Sequence, residues 1–142
     1  MLDSVSCPTF FLAMINRIAT ISWALVILVL CAIPGRDLPS ISWLAMLAFD
    51  KWVHAGIFFV LVLLFLRANV LELQSRVSIA RWGLAAAIGY GGLLEVMQGA
   101  LFDERTADVY DFIANTFGAV LGFVLFERLA KKFPFIIRPI KV

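Results

Sequence analysis

Long apolar stretches alternate with short polar connections along this chain. The four longest lie at residues 18–33, 52–66, 82–100 and 109–126. About 20 helical residues cross the hydrocarbon core of a bilayer, so each stretch is near the required length once flanking residues are included. The pattern therefore predicts an all-α fold, an integral membrane bundle of four transmembrane helices over about residues 12–33, 51–67, 82–100 and 108–126.

The first connection is less regular than the others. Pro34 and Gly35 end the first apolar stretch. A signal peptidase needs a small residue just before the bond that it cleaves, and Leu30 and its neighbours do not provide one, so we expect this stretch to be retained as a membrane anchor. Residues 41–49 are apolar but too few to cross the membrane alone. A short helix here would either lie along the outer interface or enter the membrane partway, and the path of residues 34–50 stays open.

The composition excludes an ordinary soluble domain. Hydrophobic residues make up 63% of the chain and charged residues 15%, against about 45–50% and about 25% in soluble proteins. Twelve basic and ten acidic residues leave a formal charge of +2, which is too balanced and too dilute for a nucleic-acid partner. Cys7 and Cys31 match no zinc or redox motif. The predicted partner is the lipid bilayer, and no cofactor follows from the sequence.

The distribution of basic residues predicts the orientation. Nine of the twelve lie before the first stretch, in the second connection or in the basic tail at residues 127–142. Lys and Arg are retained on the cytoplasmic side, so we expect both termini and this tail to be cytoplasmic in a multi-pass protein of the plasma (inner) membrane. The other side keeps three basic residues and seven of the ten acids.

Polar side chains gather at the outer ends of the predicted helices. An ionisable side chain at the centre of a membrane helix costs about 2.5–3.5 kcal/mol, so its presence requires a partner or a function. The second helix opens with Asp50, Lys51 and His54, which fall within about 100° of arc. The third carries Glu95 and Gln98, one turn apart on the same side.

The fourth helix carries a single polar stripe. Arg105 precedes it, and Thr106 is the expected N-cap. The stripe residues lie within about 80° around the helix axis; they are Asp108, Asp111, Asn115, Gly118 and Gly122. Polar contacts can also serve only to hold helices together, each contributing about 0.6 kcal/mol, but such contacts would be expected at all depths of the bilayer. Clustering at one level favours a functional site, and its nine members are Asp50, Lys51, His54, Glu95, Gln98, Arg105, Asp108, Asp111 and Asn115.

The order of these residues resembles the VanZ-like family of small membrane proteins, named for an accessory factor in resistance to the glycopeptide antibiotic teicoplanin. The pattern is Lys-x-x-His, then Glu-x-x-Gln, then Arg and Asp-x-x-Asp-x-x-x-Asn-x-x-Gly-x-x-x-Gly, over about residues 50–126. The matching positions are Lys51, His54, Glu95, Gln98, Arg105, Asp108, Asp111, Asn115, Gly118 and Gly122. The resemblance implies a multi-pass membrane protein linked to the cell envelope, with a role like that in glycopeptide resistance, and it brings no established reaction.

The first functional hypothesis is recognition or processing of a lipid-linked envelope precursor at the outer leaflet. Lys51 and Arg105 would hold a phosphate or carboxylate, and Gln98 and Asn115 would bind hydroxyls or amides. These four are the candidate substrate-binding residues.

If the site does chemistry, its candidate catalytic residues are His54 as general base, Glu95 as general acid, and Asp108 and Asp111. Thr116 points about 100° away from Asn115, so no hydroxyl or thiol nucleophile accompanies them. Covalent catalysis is therefore disfavoured, and whether the protein is an enzyme stays open.

Two alternatives remain. In one, the outer carboxylates and His54 coordinate a divalent ion, although no linear metal motif is present and no metal ligand is assigned. In the other, the bundle assists or docks another membrane protein, and its polar residues only fix helix register. Transport is less attractive, because the polar residues do not continue across the membrane.

Overall fold

The computed structural model describes residues 7–33, 43–69, 77–102 and 106–133. These residues form helices and no strands, which confirms the all-α prediction. The helices are α1 (Cys7–Ala32), α2 (Trp43–Ala68), α3 (Val77–Leu101) and α4 (Val109–Lys132).

Each helix contains an apolar segment long enough to cross a membrane. The segments are Ala13–Ala32, Phe49–Ala68, Ser78–Leu101 and Val109–Lys132. Large apolar side chains such as Ile21, Trp52 and Trp82 lie exposed on the outside of the bundle, where lipid would cover them. The chain is therefore a multi-pass membrane protein, and its described residues contain four spans.

All four helices extend beyond their predicted spans, α2 by the most residues. Residues 43–49 form the first turns of α2, because neither proline nor glycine separates them from the second apolar stretch. They are therefore continuous with the second span, and residues 34–42 lie outside the described part of the chain. At the other end, α4 continues to Lys132, since good helix formers follow Phe126 until Pro134.

Side-chain contacts establish the relative directions of the helices. Tyr90 of α3 donates its hydroxyl hydrogen to the carbonyl oxygen of Ala24 in α1, at 2.7 Å. Trp23 of α1 donates from Nε1 to the carbonyl oxygen of Ile57 in α2, at 2.9 Å. Successive helices are antiparallel, so α1 and α3 end at the same end of the bundle at which α2 and α4 begin. Phe58 lies fully buried at the centre of the apolar core.

Glycines allow the parallel helices α2 and α4 to approach closely. A Cβ atom on Gly118 would collide with the carbonyl oxygen of Ala55, and one on Gly122 would lie 2.8 Å from the carbonyl oxygen of Phe59. Close backbone approach at small residues is a common way to pack membrane helices. It places Asp50, Lys51 and His54 of α2 beside the polar first turns of α4.

Candidate functional site

Seven of the nine predicted site residues meet at the end of the bundle where α2 and α4 begin. An ammonium group and an imidazole of α2 contact polar side chains of α4, and α3 joins them through one carboxyl group. We call this set the polar cluster: Asp50, Lys51, His54, Glu95, Asp108, Asp111 and Asn115.

The Lys51 ammonium group links α2 to α4. It donates to Asp108 Oδ2 at 2.8 Å and also to Asp111 Oδ1, and it lies 3.9 Å from Asp50 Oδ2. The predicted role of Lys51 was to hold an anion, but its ammonium is already engaged by two carboxylates. An anionic ligand at Lys51 would have to compete with both aspartates.

Asp108 combines this ion pair with a helix cap. Its backbone is extended, and its Oδ1 accepts from the N–H of Tyr110 at 2.8 Å, so Asp108 is the N-cap of α4. The prediction that Thr106 caps this helix was therefore wrong, because α4 begins only at Val109. The hydrogen bond from Lys51 holds the pKa of the Asp108 carboxyl below its ordinary value, and the N–H of Tyr110 adds to the effect. Asp108 is thus ionised at neutral pH.

His54 lies between two carboxylates and a carboxamide. Its ring is buried, and Nδ1 lies 3.0 Å from Oδ1 of Asn115. An amide oxygen only accepts hydrogen bonds, so Nδ1 is the donor. In the neutral ring, Nε2 is then an acceptor, and it faces Asp50 Oδ1 at 3.6 Å and Asp111 Oδ2 at 3.7 Å.

Glu95 brings α3 into the cluster. Its Oε2 accepts from the backbone N–H of Asp108 at 3.0 Å, just before α4 begins. Its Oε1 is buried and has no hydrogen-bond partner in the described part of the chain, although the residue is only 7% exposed. A buried polar atom without a partner costs about 1–3 kcal/mol, so this oxygen requires an explanation.

The structure does not bring the other two predicted residues into the cluster. Gln98 is buried and donates from Nε2 to the carbonyl oxygen of Cys31, at 3.2 Å. It therefore joins α3 to the last turn of α1. Arg105 lies outside the described residues.

Two groups that the sequence did not single out accompany these residues. The Cys31 carbonyl could not be anticipated, because any of the last four carbonyls of a helix can accept from outside it. The Thr116 hydroxyl oxygen is buried and makes no hydrogen bond with a described residue. The described residues thus provide no base for a Thr116 nucleophile.

The cluster offers acceptors more than donors. Asp50, Asp108 and Asp111 contribute three negative charges, and Lys51 contributes the one positive charge among the described members when His54 is neutral. Such a site suits hydroxyl, amide or ammonium hydrogens, or a cation. It can also relay a proton, since an imidazole acceptor and a carboxyl oxygen without a partner lie in one connected set.

Comparison with curated proteins and with solved structures gives no match. The family model described as VanZ/LLP1, in contrast, matches residues 14–131, which is most of the chain. This match confirms the resemblance carried by the polar motifs of α2, α3 and α4. With four membrane spans among its described residues and that match, the chain belongs to the VanZ/LLP1 family.

Proposed function

We propose that this protein recognises the polar part of a lipid-linked envelope molecule at the outer surface of the plasma membrane, and that the polar cluster is the binding site. In this proposal both termini are cytoplasmic, as the distribution of Lys and Arg favours. The membership in the VanZ/LLP1 family supports a role at the cell envelope, including one like that in glycopeptide resistance.

One observation carries the proposal: the buried Oε1 of Glu95 has no partner among the described residues. Glu95 is held in place through its other oxygen, by the Asp108 N–H. The free oxygen is therefore fixed and is available either to accept a hydrogen bond or, in the protonated carboxyl, to donate one. A bound molecule that supplies the missing partner would remove the cost of leaving it unpaired.

The chemistry of the cluster favours a ligand rich in hydrogen-bond donors. Asp50 is nearly half exposed, so the cluster is accessible from the aqueous side. Sugar hydroxyls and peptide amides of an envelope precursor would donate to Asp50 and Glu95. Lys51 positions Asp108 and Asp111 in this scheme, and Arg105 is the proposed partner for a phosphate or carboxylate of the ligand.

We also propose roles for these residues in processing of the ligand. Nε2 of His54 would accept a proton from an attacking hydroxyl or water, and Glu95 would return one to the leaving group. Asn115 holds the imidazole in the tautomer that this role needs, through the Nδ1 contact.

The test compares two matched carboxyl-to-amide changes. Wild type, Glu95→Gln and Glu127→Gln are purified in nanodiscs from the cells that express them, and co-purified lipid-linked molecules are measured by mass spectrometry. Glu127 is exposed near the opposite end of α4. We expect at least a tenfold loss of a specific lipid-linked species in Glu95→Gln, with normal membrane abundance, and no change in Glu127→Gln.

Two results would contradict the proposal. Equal co-purification by both variants would exclude Glu95 from binding. Loss of the Glu95→Gln protein from the membrane would instead assign the cluster a structural role, as in a protein that only docks or assists another membrane protein.

A further inference from the structure

The geometry points to a divalent-cation site formed by Asp50, His54 and Asp111. One ligand atom from each of these residues lies within 4.8 Å of the other two. Asp50 and His54 stand one turn apart on α2, and Asp111 faces them from the first turn of α4. Mixed imidazole and carboxylate ligands suit a first-row transition metal such as Zn²⁺ or Mn²⁺ better than Mg²⁺ or Ca²⁺, which prefer oxygen alone.

The position of the His54 ring is the observation that points to a ligand. The residue is 8% exposed, and its Nε2 contacts two carboxylate oxygens at distances longer than a hydrogen bond. With Nδ1 donating to Asn115, the Nε2 lone pair of the neutral ring faces these two oxygens. The three acceptors then repel each other unless a positive charge lies between them, and either a proton on Nε2 or a metal ion supplies it.

The distances fit a metal with little adjustment. In a tetrahedral zinc site with bonds of about 2.0 Å, neighbouring ligand atoms are separated by about 3.3 Å. Nε2 of His54 lies 3.6 Å from the Asp50 oxygen and 3.7 Å from the Asp111 oxygen. Both distances from Nε2 are thus within a few tenths of an ångström of that value, and the Asp50 and Asp111 ligand atoms lie within 4.8 Å of each other.

Each buried ligand is also held by a second residue, as in known metal sites. Asn115, which is 1% exposed, fixes the His54 ring through Nδ1. Lys51 holds Asp111 through Oδ1, which leaves Oδ2 directed at His54. The ligands are thus oriented before any ion binds.

The charge of the cluster favours a cation. Among its described members, three aspartates and Glu95 oppose one lysine, so negative charge is in excess whether or not Glu95 is protonated. An excess of charge at the edge of the hydrocarbon core is costly, and a divalent cation would neutralise it. The partly exposed Asp50 provides the route of entry from water.

A bound ion would occupy the Nε2 lone pair, so it would replace the general-base role proposed for His54 in processing of the ligand. Metal binding is measured on the full chain in detergent, without any envelope molecule, so this test does not depend on whether such a molecule binds. The protein is stripped with a chelator and titrated with Zn²⁺ or Mn²⁺ alone, and bound metal is counted by mass spectrometry after dialysis. We expect one ion per chain. His54→Gln and Asp111→Asn should weaken binding at least tenfold, Asn115→Ala about 10–100-fold as a residue that orients a ligand, and Glu127→Gln not at all.

A second readout separates loss of a ligand from loss of the fold. In the Mn²⁺ form, pulsed electron paramagnetic resonance should detect coupling to an imidazole nitrogen, and His54→Gln should abolish it while circular dichroism stays helical. Wild-type protein that binds no stoichiometric metal would overturn the inference. Binding that is equal in wild type, His54→Gln and Asp111→Asn would also overturn it.

Discussion

Where α2 and α4 begin, charged side chains contact one another, whereas at the opposite end they face outward. Lys51, Asp108 and Asp111 form a connected ion-pair network between two helices. At the other end, Arg128 and Lys131 are exposed on α4. An exposed cation is solvated by water or headgroups wherever its helix ends, but the network exists only if α2 and α4 pack in one register.

This difference predicts which changes matter. A substitution that separates α2 from α4 should disrupt the polar cluster and leave the outward-facing charges unaffected. A substitution at the outward-facing end should change little beyond local solvation. The predictions below test this contrast, from the largest expected effect to the smallest.

Gly118→Ala should have the largest effect. The new Cβ atom meets the Ala55 carbonyl, and backbone cannot turn aside as a flexible side chain would. We expect a loss of about 3 kcal/mol in the free energy of unfolding, at the upper end of what overpacking usually costs. The temperature of unfolding in detergent measures it.

Gly56→Ala is the matched control for this change. Gly56 lies on α2, and a Cβ atom there meets nothing within 4 Å. The same substitution should therefore be neutral or slightly stabilising, because alanine favours the helix over glycine. Equal destabilisation by the two variants would show that the close approach of α2 and α4 does not support the cluster.

Lys51→Met should have the second largest effect. It leaves Asp108 and Asp111 without their ammonium partner, which costs about 3–5 kcal/mol for a fully buried pair. The three side chains are 12–33% exposed, so we expect about 2 kcal/mol. Lys131→Met, at the opposite end, should stay within about 0.5 kcal/mol of wild type.

A double variant sharpens this second test. If Lys51 and Asp108 stabilise each other, adding Asp108→Asn to Lys51→Met should cost less than Asp108→Asn costs alone. Strict additivity of the two effects would show that the ion pair contributes nothing to stability.

Local periodicity was sufficient to predict which polar residues share a face within α2 and within α4. Asp108, Asp111 and Asn115 share a face because each residue of a helix turns about 100°. The same arithmetic placed Lys51 and His54 together. Since apolar length predicted four alternating spans, it also predicted that these two stripes begin at the same end of the bundle.

Contacts between helices could not be predicted in this way. The sequence does not show whether Lys51 meets an external anion or the aspartates of α4, because that depends on the approach of α2 and α4 through Gly118. Nor does it show that Gln98 contacts the Cys31 carbonyl, since backbone acceptors carry no residue-specific signal. Capping by Asp108 rather than Thr106 depends on where α4 starts, and helix ends are the least regular part of a pattern.

The smallest effect concerns the attachment of α3 to α1. Gln98 donates to the Cys31 carbonyl at the end of the bundle that holds the cluster, and Tyr90 donates to the Ala24 carbonyl deeper in the bundle. The Gln98 hydrogen bond is buried, whereas the Tyr90 hydrogen bond is only partly buried, and a hydrogen bond is electrostatically stronger in a buried, low-dielectric site.

Gln98→Met should therefore lower the free energy of unfolding by more than Tyr90→Phe does, by about 1 kcal/mol against about 0.5 kcal/mol. Both values are small because single hydrogen bonds between membrane helices contribute little to stability. Unfolding temperatures in detergent would measure both. If Gln98 only positions α1 against α3, Gln98→Met should still retain the lipid-linked species that Glu95→Gln loses. Loss of that species at unchanged stability would instead place the Gln98 side chain in the binding site, and the site would then extend from the polar cluster to the end of α1.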